Sequence, residues 1–317
     1  MYKCRVASMF AGIGGICLGF SLAGCEIVWA NEMDPAACHT YRHFFGSGFL
    51  VEGDVRKINP DSLPDFDVLT AGFPCQSFSI GGLQKGFNDG RGALYFEVAR
   101  FICAKRPQAV FLENVENLVA HDGGRTFIVI YNSLASLGYA VRYRVMPTHE
   151  YGNLPQARKR VYLVAFLDHS RCDSFCFPEA IPLSVNVGDI VKRKEPKHDT
   201  YYYDKNSPMR HKLDSYIGRS RNLFRVYKGC VRSTRSPLIC PTLTASMCDE
   251  NNAVVLRDTK GIRRFTLRES LDFQGFPQEF YFPNSISMGE AYRQIGNSVS
   301  VPVVRRIAEA IVYGAMS

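Results

Sequence analysis

Short, uninterrupted apolar runs alternate with helical patterns through the first 167 residues, and this alternation constrains the fold more than any other feature of the chain. Arg5–Phe10, Glu26–Asn31, Asp67–Ala71, Ala109–Glu113 and Val161–Phe166 read as buried strands. Between them, helical patterns run from about Ile13 to Ala23, Asp34 to Phe44, Ala93 to Lys105 and Arg125 to Leu137. Strands that are apolar on both faces must be covered on both faces, which the crossover helices of a parallel sheet do. The chain is therefore expected to be α/β, with a doubly wound, mostly parallel sheet. From Leu167 to about Gly261 the periodicity fades and Pro, charged and turn-forming residues dominate. That stretch predicts a second, smaller and irregular domain. A regular pattern returns beyond Arg264 and ends in the apolar helix Val301–Val312. The expected division is a sheet domain of residues 1–168 completed by 290–317, and a smaller domain of 169–289.

At 317 residues the chain is long enough for two such domains. Its 46% hydrophobic and 21% charged residues are ordinary for a soluble globular protein. No run of 18 apolar residues occurs, so no membrane span is expected, and the N-terminus lacks the pattern of a secretory signal. Eleven cysteines, an odd number without regular spacing, argue for reduced thiols and a cytoplasmic location. Cys172 and Cys176 are the closest pair, and no partners stand at zinc-site spacing from them, so no metal site is read.

The net charge of +8 is unevenly placed. Arg171 to Arg264 holds 18 Lys+Arg against 10 Asp+Glu, a net of +8, while the remainder holds 20 of each. Ser215 to Pro241 carries six basic residues and no acidic one: Arg219, Arg221, Arg225, Lys228, Arg232 and Arg235. Such a stretch is either a solvated face or the footprint of a polyanion.

Several motifs stand where this fold would bring chemistry together. Phe10-Ala11-Gly12-Ile13-Gly14-Gly15 follows the first strand and opens the first helix, and its glycines permit close approach of a ligand to the backbone. Glu32 ends the second strand and Asp54 the third; an acidic residue at the second strand's end suits ribose hydroxyls. The pattern is not a full G-x-G-x-x-G, which favours a nucleoside over a pyrophosphate-bearing dinucleotide. Cys75 lies in Gly72-Phe73-Pro74-Cys75-Gln76-Ser77-Phe78-Ser79, after the strand ending at Ala71 and before a Gly-rich loop. A thiol so placed is either one more buried filler or a nucleophile. Glu113-Asn114-Val115 ends another strand, where Glu113 is either an ion-paired or capping residue or a proton donor. Gln156-Ala157-Arg158-Lys159-Arg160 precedes Val161–Phe166, and alternation puts Arg158 and Arg160 on one side if the strand begins there. Their planar forks suit carbonyl or phosphate oxygens. Gln294-Ile295-Gly296-Asn297-Ser298-Val299 leads into the last helix.

In order and spacing these motifs resemble those of bacterial DNA (cytosine-5) methyltransferases of the restriction–modification type. The resemblance covers nearly the whole length: F-A-G-I-G-G, G-F-P-C-Q-S-F-S, E-N-V, Q-A-R-K-R, the run Arg264–Pro277 and G-N-S-V. Only about Ser170 to Cys240 lacks the common pattern, as a variable target-recognition region would, with Pro241-Thr242-Leu243-Thr244 resembling the family's Thr-Leu pair near the DNA backbone. The resemblance implies an S-adenosylmethionine-dependent methyltransferase fold and methylation of cytosine in a specific sequence of double-stranded DNA. It implies Cys75 as nucleophile, Glu113 as the group on ring nitrogen 3 and the exocyclic amine, and Arg158 as the holder of the carbonyl oxygen, with Gln76 and Arg160 in the same catalytic set. The target base would flip into the pocket, and the loop from Gln76 to Arg91 would close over it, with Gly81, Gly82, Gly86, Gly90 and Gly92 as hinges. Phe10, Gly12, Ile13, Gly14, Gly15, Glu32, Met33, Asp54, Val55, Pro74, Leu94, Asn297 and Ser298 would bind S-adenosylmethionine. Arg91, Arg219, Arg221, Lys228, Arg232, Arg235 and Thr242 would meet DNA. The implied setting is a cytoplasmic, nucleoid-associated monomer paired with a separate restriction endonuclease. Two rivals are weighed. A transfer-RNA-modifying enzyme of the same class usually carries P-P-C-Q and C-F-T, where this chain has F-P-C-Q and no C-F-T. A non-catalytic DNA-binding regulator has no need of Cys75, Glu113 and Arg158 together.

Overall fold

The computed structural model describes residues 3–74, 94–218, 220, 222–234 and 238–316. They divide into two compact units, residues 1–146, 159–179 and 303–317 in the first and 147–158 and 180–302 in the second. Among the described residues no helix is long and apolar enough to cross a membrane.

The first unit is built on seven strands: β1 (Arg5–Met9), β2 (Glu26–Glu32), β3 (Leu50–Glu52), β4 (Val68–Ala71), β5 (Ala109–Val115), β6 (Ala140–Pro147) and β7 (Lys159–Phe166). They lie in the order β3-β2-β1-β4-β5-β7-β6. The pairs β3/β2, β2/β1, β1/β4 and β4/β5 are parallel, and β5/β7 is antiparallel. The α/β sheet expected from the buried runs is therefore present. β6 was not among the expected strands, because its middle carries exposed Arg142 and Tyr143 and breaks the apolar pattern. It occupies the sheet's edge, where charge discourages pairing with other chains.

Local signals set the helix limits. Asp34 caps Pro35–Phe45 by accepting from Ala36 N, Pro35 supplies a preset φ at the first position, and Gly46 (φ 83°) ends it. The helix Leu94–Lys105 buries Tyr95, Val98, Phe101 and Ile102 in a core that includes Met9, Leu69, Val110 and Leu112. Strand order reverses between β1 and β4, whose carboxyl ends stand side by side at the point of reversal. That is where open α/β sheets bind ligands.

The second unit contains a four-stranded sheet in the order β11-β10-β8-β9, from β8 (Phe224–Tyr227), β9 (Cys230–Ser233), β10 (Val254–Arg257) and β11 (Ile262–Arg264). All three pairings are antiparallel. Strands of three or four residues are too short to show a clear period, which is why this stretch reads as irregular. The helix Pro208–Ile217 supplies Met209, Leu213 and Ile217 to a core shared with Phe224, Val226, Val231, Val255 and Ile262. Arg263 is wholly buried between Asp258 and Glu269, with its Nε 2.7 Å from Asp258 and its two terminal nitrogens 2.7 and 2.8 Å from Glu269. A buried guanidinium requires such complete pairing.

Candidate active site

The loop after β1 turns through three left-handed residues, Phe10 (φ 55°), Gly12 (φ 55°) and Gly14 (φ 86°). Gly12 N donates to Glu32 Oε2 at 2.8 Å, tying this loop to the end of β2. Glu32 Oε1 accepts from Met33 N (2.8 Å) and Asp34 N (2.9 Å), so the carboxylate is aimed by three main-chain donors. Each carboxylate oxygen has two acceptor directions. Oε2 is met by one of these donors, and among the described residues no atom beyond Gly12 and its chain neighbours lies within 4 Å of where a Cβ on Gly12 would stand. The Met33 side chain is exposed beside it. Asn31, buried, donates from Nδ2 to Val51 O and Gly53 O, both at 2.9 Å, and so fixes the backbone leading to Asp54. Asp54 forms a fork with Arg56, whose Nε lies 2.9 Å from both carboxylate oxygens. The Arg56 guanidinium holds its carboxyl below the usual carboxylate range. Val55 is buried, and its carbonyl and that of Ile58 accept from Arg100 on the helix that Leu94 begins. These residues suit a nucleoside: an oriented acid for ribose hydroxyls, an acidic edge for an amine, and open space over glycine.

The second cluster stands at the carboxyl ends of β4 and β5. The Glu113 carboxylate is 3.1 Å from Arg160 Nε, with both side chains mostly buried. A Cβ on Gly72 would stand 3.7 Å from Glu113 Oε2, so the segment leading to Cys75 runs beside this acid. Asn114 Nδ2 donates to Phe73 O at 2.8 Å, and Asn114 Oδ1 accepts from Val115 N at 2.8 Å. The chain two residues before Cys75 is thus pinned to the end of β5. Pro74 is exposed at the end of this described segment. Cys75, Gln76, Arg91 and the hinge glycines lie outside the described residues.

The two arginines of Q-A-R-K-R are placed differently. β7 begins at Lys159, so strand alternation does not apply to Arg158. Arg160 reaches Glu113 in the first unit, whereas the buried Arg158 guanidinium donates within the second unit to the carbonyls of Leu243 (3.3 Å), Gly296 (3.3 Å) and Ser298. Gln156 adds bonds to Leu243 N (3.1 Å) and Phe273 O (2.7 Å). Gly296 allows close passage of this same segment, since a Cβ there would meet Thr244 and Ala245 backbone at 2.2 Å. Ser298 is buried and Asn297 exposed. The Ser298 hydroxyl has no hydrogen-bond partner among the described residues. Thr242 Oγ1 donates to Ala157 O at 2.9 Å. Lys228 and Arg232 are exposed on the β8–β9 hairpin, while Arg219, Arg221 and Arg235 lie outside the described residues.

Asn31 and Asn114 were missing from the sequence-based site. The available signal was an Asn at a strand's end beside the acidic residue of a motif, a position that exposes its amide to neighbouring loops.

Among the described residues, an acid held by three main-chain donors stands at the end of β2 and a second acid beside an arginine stands at the end of β5, a pairing that suits a group-transfer enzyme of the nucleoside-binding class. Residues 4–313 match the model of the C-5 cytosine-specific DNA methylase family, and the chain belongs to that family. It is 44% identical over 315 residues to the Type II methyltransferase M.Bsp6I of Bacillus sp. (strain RFL6), covering 97% of this chain and 98% of that one. It is 34% identical over 315 residues to M.HhaI of Haemophilus parahaemolyticus, covering 96% and 93%. Among solved structures, it resembles a DNMT2 variant of Spodoptera frugiperda with TM-score 0.76 at 18% identity, covering 98% of this chain and 100% of that one. It resembles a prophage-encoded DNA modification methyltransferase from E. coli, described as putative, with TM-score 0.71 at 22% identity, covering 99% of each. These two likenesses show the fold. The chain is a DNA (cytosine-5-)-methyltransferase that uses S-adenosylmethionine as methyl donor.

Proposed function

We propose that this enzyme methylates one cytosine within a short sequence of double-stranded DNA through a transient bond from Cys75 to a base turned out of the helix. The observation that carries this reading is the Glu113 carboxylate, held 3.1 Å from Arg160 beside the segment that delivers Cys75. Ring carbon 5 of cytosine is too weakly nucleophilic to take a methyl group directly. Addition of the Cys75 thiolate to ring carbon 6 makes carbon 5 an enamine carbon, which is nucleophilic enough. Glu113 binds ring nitrogen 3 and the exocyclic amine and supplies a proton as electron density moves into the ring. In this reading the carbonyl oxygen is held by an arginine of Q-A-R-K-R, either Arg158, which also donates to the Leu243 and Gly296 carbonyls, or Arg160, 3.1 Å from Glu113, with Gln76 in the same catalytic set. S-adenosylmethionine supplies an electrophilic methyl group when bound. Loss of the carbon 5 proton then expels Cys75 as thiolate and restores the aromatic ring. The base must leave the stack for a thiol to reach carbon 6.

Glu32, Met33, Asp54 and Val55, with the Phe10–Gly15 loop, Pro74, Leu94, Asn297 and Ser298, hold the methyl donor in this reading. Residues 169–289 form the target-recognition domain, and residues 1–168 with 290–317 the catalytic one. Arg91, Arg219, Arg221, Lys228, Arg232, Arg235 and Thr242 meet DNA, consistent with the excess charge of +8 between Arg171 and Arg264. Relatives such as M.Bsp6I are named Type II methyltransferases, which supports a protective role in a cytoplasmic restriction–modification system beside a separate endonuclease, with the methyltransferase acting as a monomer. The test is a duplex carrying 5-fluorocytosine at the target, because fluorine cannot leave as a proton does. A denaturation-resistant adduct is expected in the presence of S-adenosylmethionine, and its absence under turnover conditions overturns the covalent route. Digestion of DNA from expressing cells with a panel of methylation-sensitive enzymes identifies the target sequence.

Two substitutions probe the supporting residues. Asn114→Ala removes the donor to the Phe73 carbonyl and the acceptor for Val115 N, an expected loss of about 1–3 kcal/mol in stability. Asn114→Asp retains the acceptor but cannot donate to Phe73. Methylation should therefore fall in both variants while S-adenosylmethionine affinity holds; normal rates in Asn114→Asp would show that the Phe73 bond is irrelevant to turnover. Glu32→Ala should weaken cofactor binding, each charge-assisted hydrogen bond being worth roughly 1.5–3 kcal/mol before compensation. DNA affinity should change little. Calorimetric titration with unchanged cofactor affinity would remove Glu32 from the site.

A further inference from the structure

In the second unit, the hairpin β8–β9 sets two arginines directly opposite each other. The register pairs Arg225 with Arg232 and Tyr227 with Cys230, while Val226 and Val231 pair on the other face and enter the core. Alternation therefore projects Arg225, Tyr227, Cys230 and Arg232 from a single face away from that core. Directly opposed like charges destabilise a strand pair. No carboxylate within the hairpin offsets the repulsion, since Phe224–Ser233 contains no Asp or Glu. Among the described residues, no ion pair engages either guanidinium. Arg225 lies over the Tyr227 ring at 5.6 Å from its centroid, and Lys228 Nζ lies at the same distance. Lys228 itself turns the hairpin at φ 48°, a left-handed conformation that costs a lysine more than it would cost asparagine or glycine. The tip is held by Gly229 N on Asn251 O (3.2 Å) and by Lys212 Nζ on Gly229 O (2.5 Å).

Two opposed guanidiniums with no carboxylate in the hairpin, and a lysine at its tip, form a surface suited to an anion. Guanidinium forks match phosphate oxygens, and cross-strand side chains start only about 4.5–5.5 Å apart at Cβ, close enough to grip one phosphate from two sides. We propose that Arg225 and Arg232 together clamp a single phosphate of the DNA backbone, with Tyr227 packed under Arg225 and Lys228 beside it at the tip. This rests on the reading of residues 169–289 as the target-recognition domain, and adds to it Arg225, Tyr227 and the sharing of one phosphate by two arginines.

The test is the salt dependence of target-duplex affinity in the full-length protein, measured beside methyl transfer on the same duplex. Each phosphate neutralised contributes about −0.9 to the log–log slope. Arg225→Gln with Arg232→Gln should make the slope shallower by about 0.9, one phosphate, whereas two separate phosphates would give about 1.8. Either single substitution should move the slope much less than the double, because the remaining arginine still neutralises the phosphate. The double variant should unfold at the same temperature as wild type or a higher one, since it relieves the like-charge repulsion. Arg225→Lys with Arg232→Lys should keep the slope but lose affinity, because lysine lacks the fork. A change of 1.8 overturns the shared phosphate, and an unchanged slope overturns the hairpin as a DNA contact. If either occurs while wild type methylates the duplex, the clamp alone fails. If wild type neither binds nor methylates duplex DNA, the functional reading fails with it.

Discussion

Cys75→Ser is expected to abolish methyl transfer while leaving specific DNA binding intact. A serine hydroxyl is far less nucleophilic at neutral pH than a thiolate, and without addition at ring carbon 6 carbon 5 does not become reactive. DNA affinity comes mainly from phosphate and base contacts, which one atom at the nucleophile does not provide. The comparison is single-turnover methyl transfer beside a binding isotherm on the same duplex. Retention of even a tenth of wild-type turnover by Cys75→Ser would rule out covalent catalysis by this residue. The same variant should give no adduct with 5-fluorocytosine duplex.

Separating Glu113 from Arg160 should produce the second-largest loss. Their side chains are 10% and 14% exposed at 3.1 Å, so Arg160→Ala takes the guanidinium from beside a largely buried carboxylate, at an expected cost of up to about 3–5 kcal/mol in stability. Glu113→Gln removes the acid while keeping its shape, and should slow the chemical step by about 10²–10⁴-fold if proton transfer is its role. The informative variant carries both changes. With neither charge left, stability should largely recover relative to Arg160→Ala, yet methyl transfer should remain lost. Thermal unfolding and single-turnover rates measure the two effects separately. Recovery of both together would make the pair a structural strut with no part in the chemistry.

A buried strand carries its signature in its own few residues, so β1, β2, β4, β5 and β7 could be read from their apolar runs, and with them the sheet. The same runs showed that Glu32, Glu113 and Cys75 stand at or just beyond strand ends, because a motif that follows a strand is carried to that strand's carboxyl edge. β6 escaped notice because an edge strand with exposed Arg142 and Tyr143 has no such run. The strands of the second unit escaped because three or four residues define no period.

The amino-acid sequence by itself determined the class of the sheet, the order of its motifs, the family they belong to and the concentration of positive charge between Arg171 and Arg264. Each of these is a local pattern or a sum over residues, and neither depends on which distant segments touch. The tertiary structure alone decided which arginine meets Glu113, since that turns on β7 beginning at Lys159 and lying antiparallel to β5. It alone showed Asn114 bound to the Phe73 carbonyl, 41 residues away, and Asn31 bound to the loop before Asp54. The opposition of Arg225 and Arg232 likewise follows from a hairpin register, and a slip of one residue would turn one arginine toward the core. Pairings of this kind are set by packing across the chain, so residue types and spacings cannot specify them.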